Sequence, residues 1–339
     1  MTDVELRIPS IAPVAEGVPR PRWSVMIPAY NAASTIAETV ASVLAAGAPA
    51  ARMQIAVVDN ASTDETLRVV EEAAAAHAAR DRVEIHRNAS NLGMVGNWNA
   101  CLRLARGELI HLLHADDLVR PGFYAAVEAV LHQHPEADIC VARVLVVDAT
   151  GQLERMTGRL ARSRELTASD LAYENEFYPP GIVARRAGYE RVGGFSPVLA
   201  YVPDWEMWLR LLAGRKGVFI NEPLACYRET PGNVSSQASR AATDLPELLQ
   251  FGDLLAERVP GFSRRHWREM VKRHANWGMK KWQFAGDEAA YRAHRAFWQR
   301  LASPGEKLDA ALAAAKAYGR QCERTLRAAV RRLRKDERS

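Results

Sequence analysis

The chain has 339 residues, with 45 Lys and Arg against 40 Asp and Glu, 48% hydrophobic and 25% charged. This composition excludes disordered, collagenous and disulfide-framework classes, and no run reaches the ~18 apolar residues of a membrane-spanning helix. Charge is uneven: residues 251–339 hold 21 Lys/Arg and 10 Asp/Glu, so an acidic body precedes a basic end that suits an anionic partner. The start of the chain lacks an apolar signal core. Cys101, Cys140, Cys226 and Cys322 are scattered, with no CxxC or zinc spacing, so reduced thiols in a cytoplasmic protein are expected. Residues 1–21, with four prolines and no period, read as a flexible N-terminal arm.

From Trp23 the pattern becomes regular. Trp23–Ile27 is an apolar strand ending in the turn Pro28-Ala29-Tyr30-Asn31. A helix with Ile36, Val40, Val43 and Leu44 on one side follows Ser34. Gln54–Val58 is a second strand, ending at Asp59-Asn60, and Ser62, Thr63 or Asp64 can cap the next helix. Val83–His86, a helix over Gly96–Arg106 and the strand Leu109–Leu113 continue the alternation, which ends in His114-Ala115-Asp116-Asp117. Strands alternating with helices predict a parallel sheet covered by helices, whose ligands bind beyond the carboxyl ends of the strands. The polar clusters at those ends should share one rim. Further on, Ile139–Val147 reads as a long strand, 150–176 as a loop, Gly181–Ala184 as a short apolar run and Asp204–Leu212 as a helix. Val218–Ile220 and Ala225–Arg228 read as two closing strands, and the chain from about 243 as helices only.

Three carboxylate positions carry chemistry. Asp116-Asp117 repel each other unless a cation or hydrogen-bond donors compensate, and hard oxygen ligands suit Mg²⁺ or Mn²⁺; a helix N-cap is the other reading. Asp59 can accept N–H donors from a ligand base or cap the turn that follows it. Asp204, before Trp205-Glu206-Met207-Trp208, is either an N-cap or a cleft-facing carboxylate able to take a proton.

Taken together, these segments resemble the family-2 glycosyltransferases of the GT-A fold. The resemblance rests on Ser24–Asn31, on Val57-Val58-Asp59-Asn60-Ala61-Ser62-Thr63-Asp64, and on Asn91-Leu92-Gly93 with Asn97-Trp98-Asn99. It continues in Leu112–Asp117, Gly193-Gly194-Phe195 and Asp204–Arg210, and spans about residues 22–235. It implies a GT-A-like, Rossmann-type, mixed and mostly parallel sheet flanked by helices over 22–240, followed by a basic α-helical extension over 241–339. It also implies inverting transfer from a nucleotide-sugar donor, a UDP-sugar as first expectation, to a glycan or lipid-linked saccharide acceptor in surface polysaccharide synthesis. By the same resemblance Pro28, Tyr30, Asp59, Arg87, Asn99 and Asp116 would hold the donor nucleotide. Asp117 with Asp116 would ligate Mn²⁺ or Mg²⁺, and Asp204 would be the general base. His114 stands where many members carry another Asp, and Thr230 where many carry a His, which keeps a degenerate donor-binding or scaffold protein as an alternative. A sugar nucleotidyltransferase is a further alternative, but it would want a Gly-rich loop where Pro28–Asn31 stands. No Q-x-x-R-W motif is present, against a processive synthase.

In the basic end, Arg264–Trp282 reads as a helix packing its Trp stripe on the catalytic domain, and nucleic acid is not the favoured partner. Residues 308–335 form a basic amphipathic pattern that suits an anionic membrane surface, docking on the protein, or pairing in a homodimer.

Overall fold

The computed structural model describes residues 6–46, 52–157, 162–173, 175, 177–230 and 232–310. The 308–335 pattern lies outside the described residues from 311 onward. By contact the chain divides into two units, Met1–Ala238 with Pro246–Trp267, and Ser239–Leu245 with Arg268–Ser339. Residues 246–267, which the sequence groups with the helical extension, thus cluster with the first unit.

The first unit opens with β1 (Trp23–Ala29), α1 (Ile36–Ala45), β2 (Met53–Asp59), α2 (Thr66–Ala76), β3 (Val83–Arg87), α3 (Gly93–Leu104) and β4 (Leu109–Leu112). It continues with β5 (Leu118–Val119), α4 (Phe123–Gln133), β6 (Ala137–Val147), β7 (Leu153–Met156) and β8 (Arg164–Leu166). Next come β9 (Ile182–Arg185), α5 (Arg186–Val192), α6 (Pro203–Leu212) and β10 (Lys216–Arg228). The later helices are α7 (Val234–Ala241), α8 (Asp244–Arg258), α9 (Arg264–Phe284) and α10 (Glu288–Leu301).

One mixed sheet runs β3-β2-β1-β4-β9-β6-β10-β5, with β7 on β6 and β8 on β10. β3, β2, β1 and β4 are parallel neighbours, and β9 is antiparallel to both β4 and β6. β1 and β2 are buried along their whole length because both faces are covered. Val25, Ile27, Ile55 and Val57 join a core with Ile36, Val40, Val70 and Phe123 from α1, α2 and α4. The alternate residues Met26, Ala56 and Val58 are equally buried, on the face where α3 meets β1, β2 and β4.

Three expectations change. The two closing strands are one strand, β10, whose register on β6 shifts around Pro223, where the missing N–H interrupts the ladder. The stretch 150–176 is not all loop: β7 and β8 pair with longer strands, and their exposed, charged sequence gave no apolar alternation to read. The N-terminal arm is docked over its described part. Ile11 is 3% exposed, Gly194 donates its N–H to the Pro9 carbonyl (2.7 Å), and Arg186 Nη2 donates to the Ala12 carbonyl (2.8 Å). Prolines had hidden this extended segment from periodicity arguments.

In the second unit α9 and α10 cross closely at Gly278, where a Cβ would stand 2.2 Å from His294 Nδ1. The stripe read on Arg264–Trp282 also divides. Trp267, in the first unit, is buried against Trp205 and Phe251, whereas Trp277 is exposed. Ten residues place the two rings about 80° apart on a helix.

Candidate active site

Register brings the strand ends level. Ala29 pairs with Asp59, and Asp59 with Arg87, so β1, β2 and β3 present these residues in one row. Beyond them the loops are tied together by side chains. The Asn31 N–H donates to Ser62 Oγ (2.9 Å), and the Thr63 N–H donates to Asn31 Oδ1 (2.9 Å). Asn31 (φ 49°) and Ala61 (φ 61°) both adopt the left-handed region, which these cross-loop bonds stabilise.

Asp59 is fully buried. Its carboxylate accepts the Ser62 N–H (3.3 and 3.2 Å) and pairs with Arg87 Nε at 3.3 Å. Arg87 Nη2 also donates to the Ser62 carbonyl (2.9 Å), so Asp59, Arg87 and the turn form one rigid edge. Tyr30, 49% exposed, leaves its ring available beside that edge, while Pro28 is buried in the strand. An amide network under the rim, missed in the sequence, links the loops: Asn88 Nδ2 donates to Asn60 Oδ1 (3.0 Å) and Asn97 Oδ1 (2.9 Å), and Asn97 Nδ2 to the Val58 carbonyl (2.9 Å).

The next strand, β4, delivers His114, Asp116 and Asp117. A ligand atom from each lies within 4.8 Å of the others. Asp117 is fully buried; its Oδ1 accepts the Arg228 N–H (3.0 Å), and its Oδ2 has no hydrogen-bond partner. Burial, reinforced by the Asp116 charge, pushes the Asp117 carboxyl well above the ordinary carboxylate range, against the opposing pull of Arg228. His114 stacks on Trp98 (4.9 Å between ring centres), its Nδ1 is 3.8 Å from Asp117 Oδ2, and its Nε2 is buried without a partner. Burial lowers its pKa, which keeps the imidazole neutral and able to donate a lone pair.

Arg228 is the residue sequence reasoning missed. Besides its N–H, its Nε donates to the Asp116 carbonyl (3.0 Å), Nη1 to the Ala149 carbonyl (3.3 Å) and Nη2 to Glu38 (2.6 Å). It joins the last strand to the carboxylate loop and α1. Thr230, two residues on, bonds to Asn233.

Asp204 lies in the first turn of α6, whose N-cap is Val202, and its Oδ1 accepts the Trp205 N–H (2.7 Å). Burial pushes its pKa up to about 6, and Glu247 adds to the rise. The helix beneath it is fixed by a buried network: Glu206 accepts from Arg210 Nε (2.7 Å) and pairs with Arg258, and Arg210 Nη2 donates to the Gly194 carbonyl (2.7 Å). Glu247 accepts three successive N–H groups, from Ala200, Tyr201 and Val202, and so holds the chain entering α6.

Asn99, expected at the nucleotide, has both ends of its amide engaged within the protein. It is buried, its Nδ2 donates to the Phe195 carbonyl (2.9 Å) and its Oδ1 accepts the Phe195 N–H (2.8 Å). Both ends of the amide hold the Gly193–Phe195 segment, a positioning job that its spacing in the sequence did not distinguish from binding.

A family model described as Glycosyl transferase family 2 matches residues 24–193. The putative glycosyltransferase EpsE of Bacillus subtilis is 28% identical over 212 residues, 62% of this chain and 73% of EpsE. Poly(ribitol-phosphate) beta-N-acetylglucosaminyltransferase TarS of Staphylococcus aureus is 26% identical over 153 residues, 45% of this chain and 26% of TarS. Among solved structures, S. aureus TarS 1–349 in complex with UDP-GlcNAc superposes with a TM-score of 0.56 at 18% identity, over 82% of this chain and 92% of that one. The mannosyltransferase PcManGT from Pyrobaculum calidifontis, in complex with GDP-Man and Mn²⁺, gives 0.55 at 20% identity, over 92% and 85%. The structural likeness carries the fold, and the family match covers half of the sequence, with the strand-end motifs inside it. The chain therefore belongs to glycosyl transferase family 2.

Proposed function

We propose that this protein is a divalent-cation-dependent, inverting glycosyltransferase. It moves a sugar from a nucleotide-diphosphate sugar to a hydroxyl of a glycan or lipid-linked saccharide in cell-surface polysaccharide assembly, from the cytoplasmic side. The observation that carries the reading is Asp117, a fully buried carboxylate with one oxygen unpartnered beside Asp116 and His114. Leaving such a group bare is costly, and two carboxylates with a neutral imidazole are a donor set that Mn²⁺ or Mg²⁺ fits. Asp117, Asp116 and His114 would hold the ion, which when bound supplies positive charge to the diphosphate leaving group.

The chain's own residues do the rest. The Asp59–Arg87 edge and the Tyr30 ring, over Pro28, bind and orient the nucleotide, and Asn99 positions the Gly193–Phe195 segment. Asp204 takes the proton of the acceptor hydroxyl as its oxygen attacks the anomeric carbon. The bond to the diphosphate breaks on the opposite face, so one displacement inverts the configuration. A pKa of about 6 leaves Asp204 ionised at neutral pH yet basic enough to accept that proton. The names of TarS and its UDP-GlcNAc complex favour a UDP-sugar, and the GDP-Man complex of PcManGT makes GDP-sugars the comparison. The catalytic part is taken as residues 22–240 with the clustered 246–267, and the remainder as a basic helical extension.

A thermal-shift series of UDP- and GDP-sugars with and without Mn²⁺ tests this. Stabilisation by one nucleotide class, strengthened by the ion and followed by sugar transfer or slow donor hydrolysis, is expected. Binding without any turnover would favour the degenerate reading, which His114 and the Thr230–Asn233 bond keep in view. No shift with any nucleotide sugar would overturn the proposal.

A further inference from the structure

The second unit carries a surface that includes none of the residues assigned above to glycosyl transfer. On α9, Arg273, Trp277, Lys280, Lys281 and Phe284 recur at three- and four-residue steps and share one face. All are exposed; Trp277 is 54% and Phe284 97% exposed. Lys281 Nζ lies 5.2 Å from the Trp277 ring centre and 4.6 Å from that of Trp282. His274 stacks on Trp277 at 5.9 Å and is itself 3.1 Å from Asp244 Oδ2, which orients the exposed ring. Among the described residues no carboxylate pairs with Arg273, Lys280 or Lys281; the nearby Glu269 is turned to Lys272.

Large exposed rings among unpaired cations mark a surface made for contact. Aromatic rings suit the headgroup level of a bilayer, and Lys and Arg suit its anionic lipids. Charge complementarity selects the occupant. Residues 311–339 carry nine Lys/Arg and three Asp/Glu and would be repelled, and the same face of a second copy would repel it equally. A single convex helix face offers no groove to follow the phosphates of a nucleic acid strand. Among the described residues no helix is long and apolar enough to cross a membrane. We propose that this face docks on an anionic phospholipid surface, with Trp277 and Phe284 entering the headgroup layer and Arg273, Lys280 and Lys281 meeting lipid phosphates.

The test is co-sedimentation of the full chain with phosphatidylcholine vesicles, with and without phosphatidylglycerol. Binding that requires phosphatidylglycerol and weakens with salt is expected. It should fall about thirtyfold in Lys280→Ala/Lys281→Ala. Trp277→Ala/Phe284→Ala should lose about tenfold or more with helix content unchanged. UDP-sugar stabilisation in the same preparations should stay at the wild-type level, which separates this surface from the catalytic reading. Equal vesicle binding by wild type and both variants, or none by the wild type, would overturn the proposal. So would single-stranded oligonucleotide binding that the variants lose without any vesicle binding, or a dimer that the aromatic variant dissolves.

Discussion

The Arg228 main-chain N–H donates to Asp117 Oδ1 at 3.0 Å, while its side-chain Nε donates to the Asp116 carbonyl at the same distance. One residue of the last strand thus holds both members of the carboxylate pair. Its partner Glu38 is largely exposed, so the ion pair itself contributes little. Arg228→Ala keeps the main-chain N–H bonded to Asp117 and removes the side-chain bond to the Asp116 carbonyl and the positive charge near Asp117, so it should act through the placement of Asp116 and the electrostatics of Asp117. We expect Mn²⁺ and donor affinity to fall about 10–100-fold, as for other residues that orient metal ligands, with kcat reduced less than 1/KM is. Metal titration followed by donor titration measures this.

Asp117→Asn keeps the oxygen that accepts from Arg228 and removes a buried ionisable group, held next to Asp116 at a free-energy cost. In metal-free protein this should raise Tm by about 2–4 °C, the yield of roughly 1 kcal/mol in a domain of this size. The same change should abolish the Mn²⁺-dependent part of donor stabilisation. A fall in metal-free Tm would contradict the electrostatic account.

Asp204→Asn should lower kcat by about 10²–10⁴-fold while leaving the donor-induced thermal shift in place. The acid limb of the wild-type rate should fall with pH through about 6, because only the ionised carboxylate accepts a proton. The stability effect has the opposite sense. A raised carboxyl pKa favours the folded state below the unfolded value near 4, and that contribution is lost as pH rises through about 6. The pH–rate profile and the pH dependence of Tm read the two effects separately.

Arg87→Ala leaves Asp59 buried with only the Ser62 N–H to bond. A buried charge without its partner should lower stability by about 1–3 kcal/mol and weaken nucleotide binding. Asp59→Asn removes that charge. Combining it with Arg87→Ala should recover stability but not nucleotide affinity. Chemical denaturation and UDP titration of the four proteins complete the cycle, and recovery of both properties together would show that the edge is structural only.

Asn99→Ala strips the Phe195 N–H and carbonyl of their partners. Each buried group left unpaired costs about 1–3 kcal/mol. Stability should therefore drop, while UDP affinity of the folded protein stays near wild type. A selective loss of UDP binding at unchanged Tm would restore Asn99 to the nucleotide site.

Much of the candidate site is legible in the sequence because polar clusters sit where local pattern changes. Asp59 and the Asp116–Asp117 pair follow buried strands, and the family match spans both. Arg228 was not legible: it looks like the polar end of a strand, and its partners lie 111, 112 and 190 residues away. Glu247 was equally hidden, a helix residue like any other until its three backbone donors are seen. Asn99 shows the limit of local pattern, because an amide that binds a ligand and one that binds Phe195 have the same sequence appearance.

By itself the sequence determined the alternating elements and the strand-end motifs, because period, turn residues and buried runs are properties of neighbouring residues. Only the tertiary structure decided which carboxylate oxygen is left bare, which arginine holds the pair, and that Trp267 is buried while Trp277 is exposed. Those outcomes depend on desolvation and partners supplied by segments far apart in the chain, and no local window contains them.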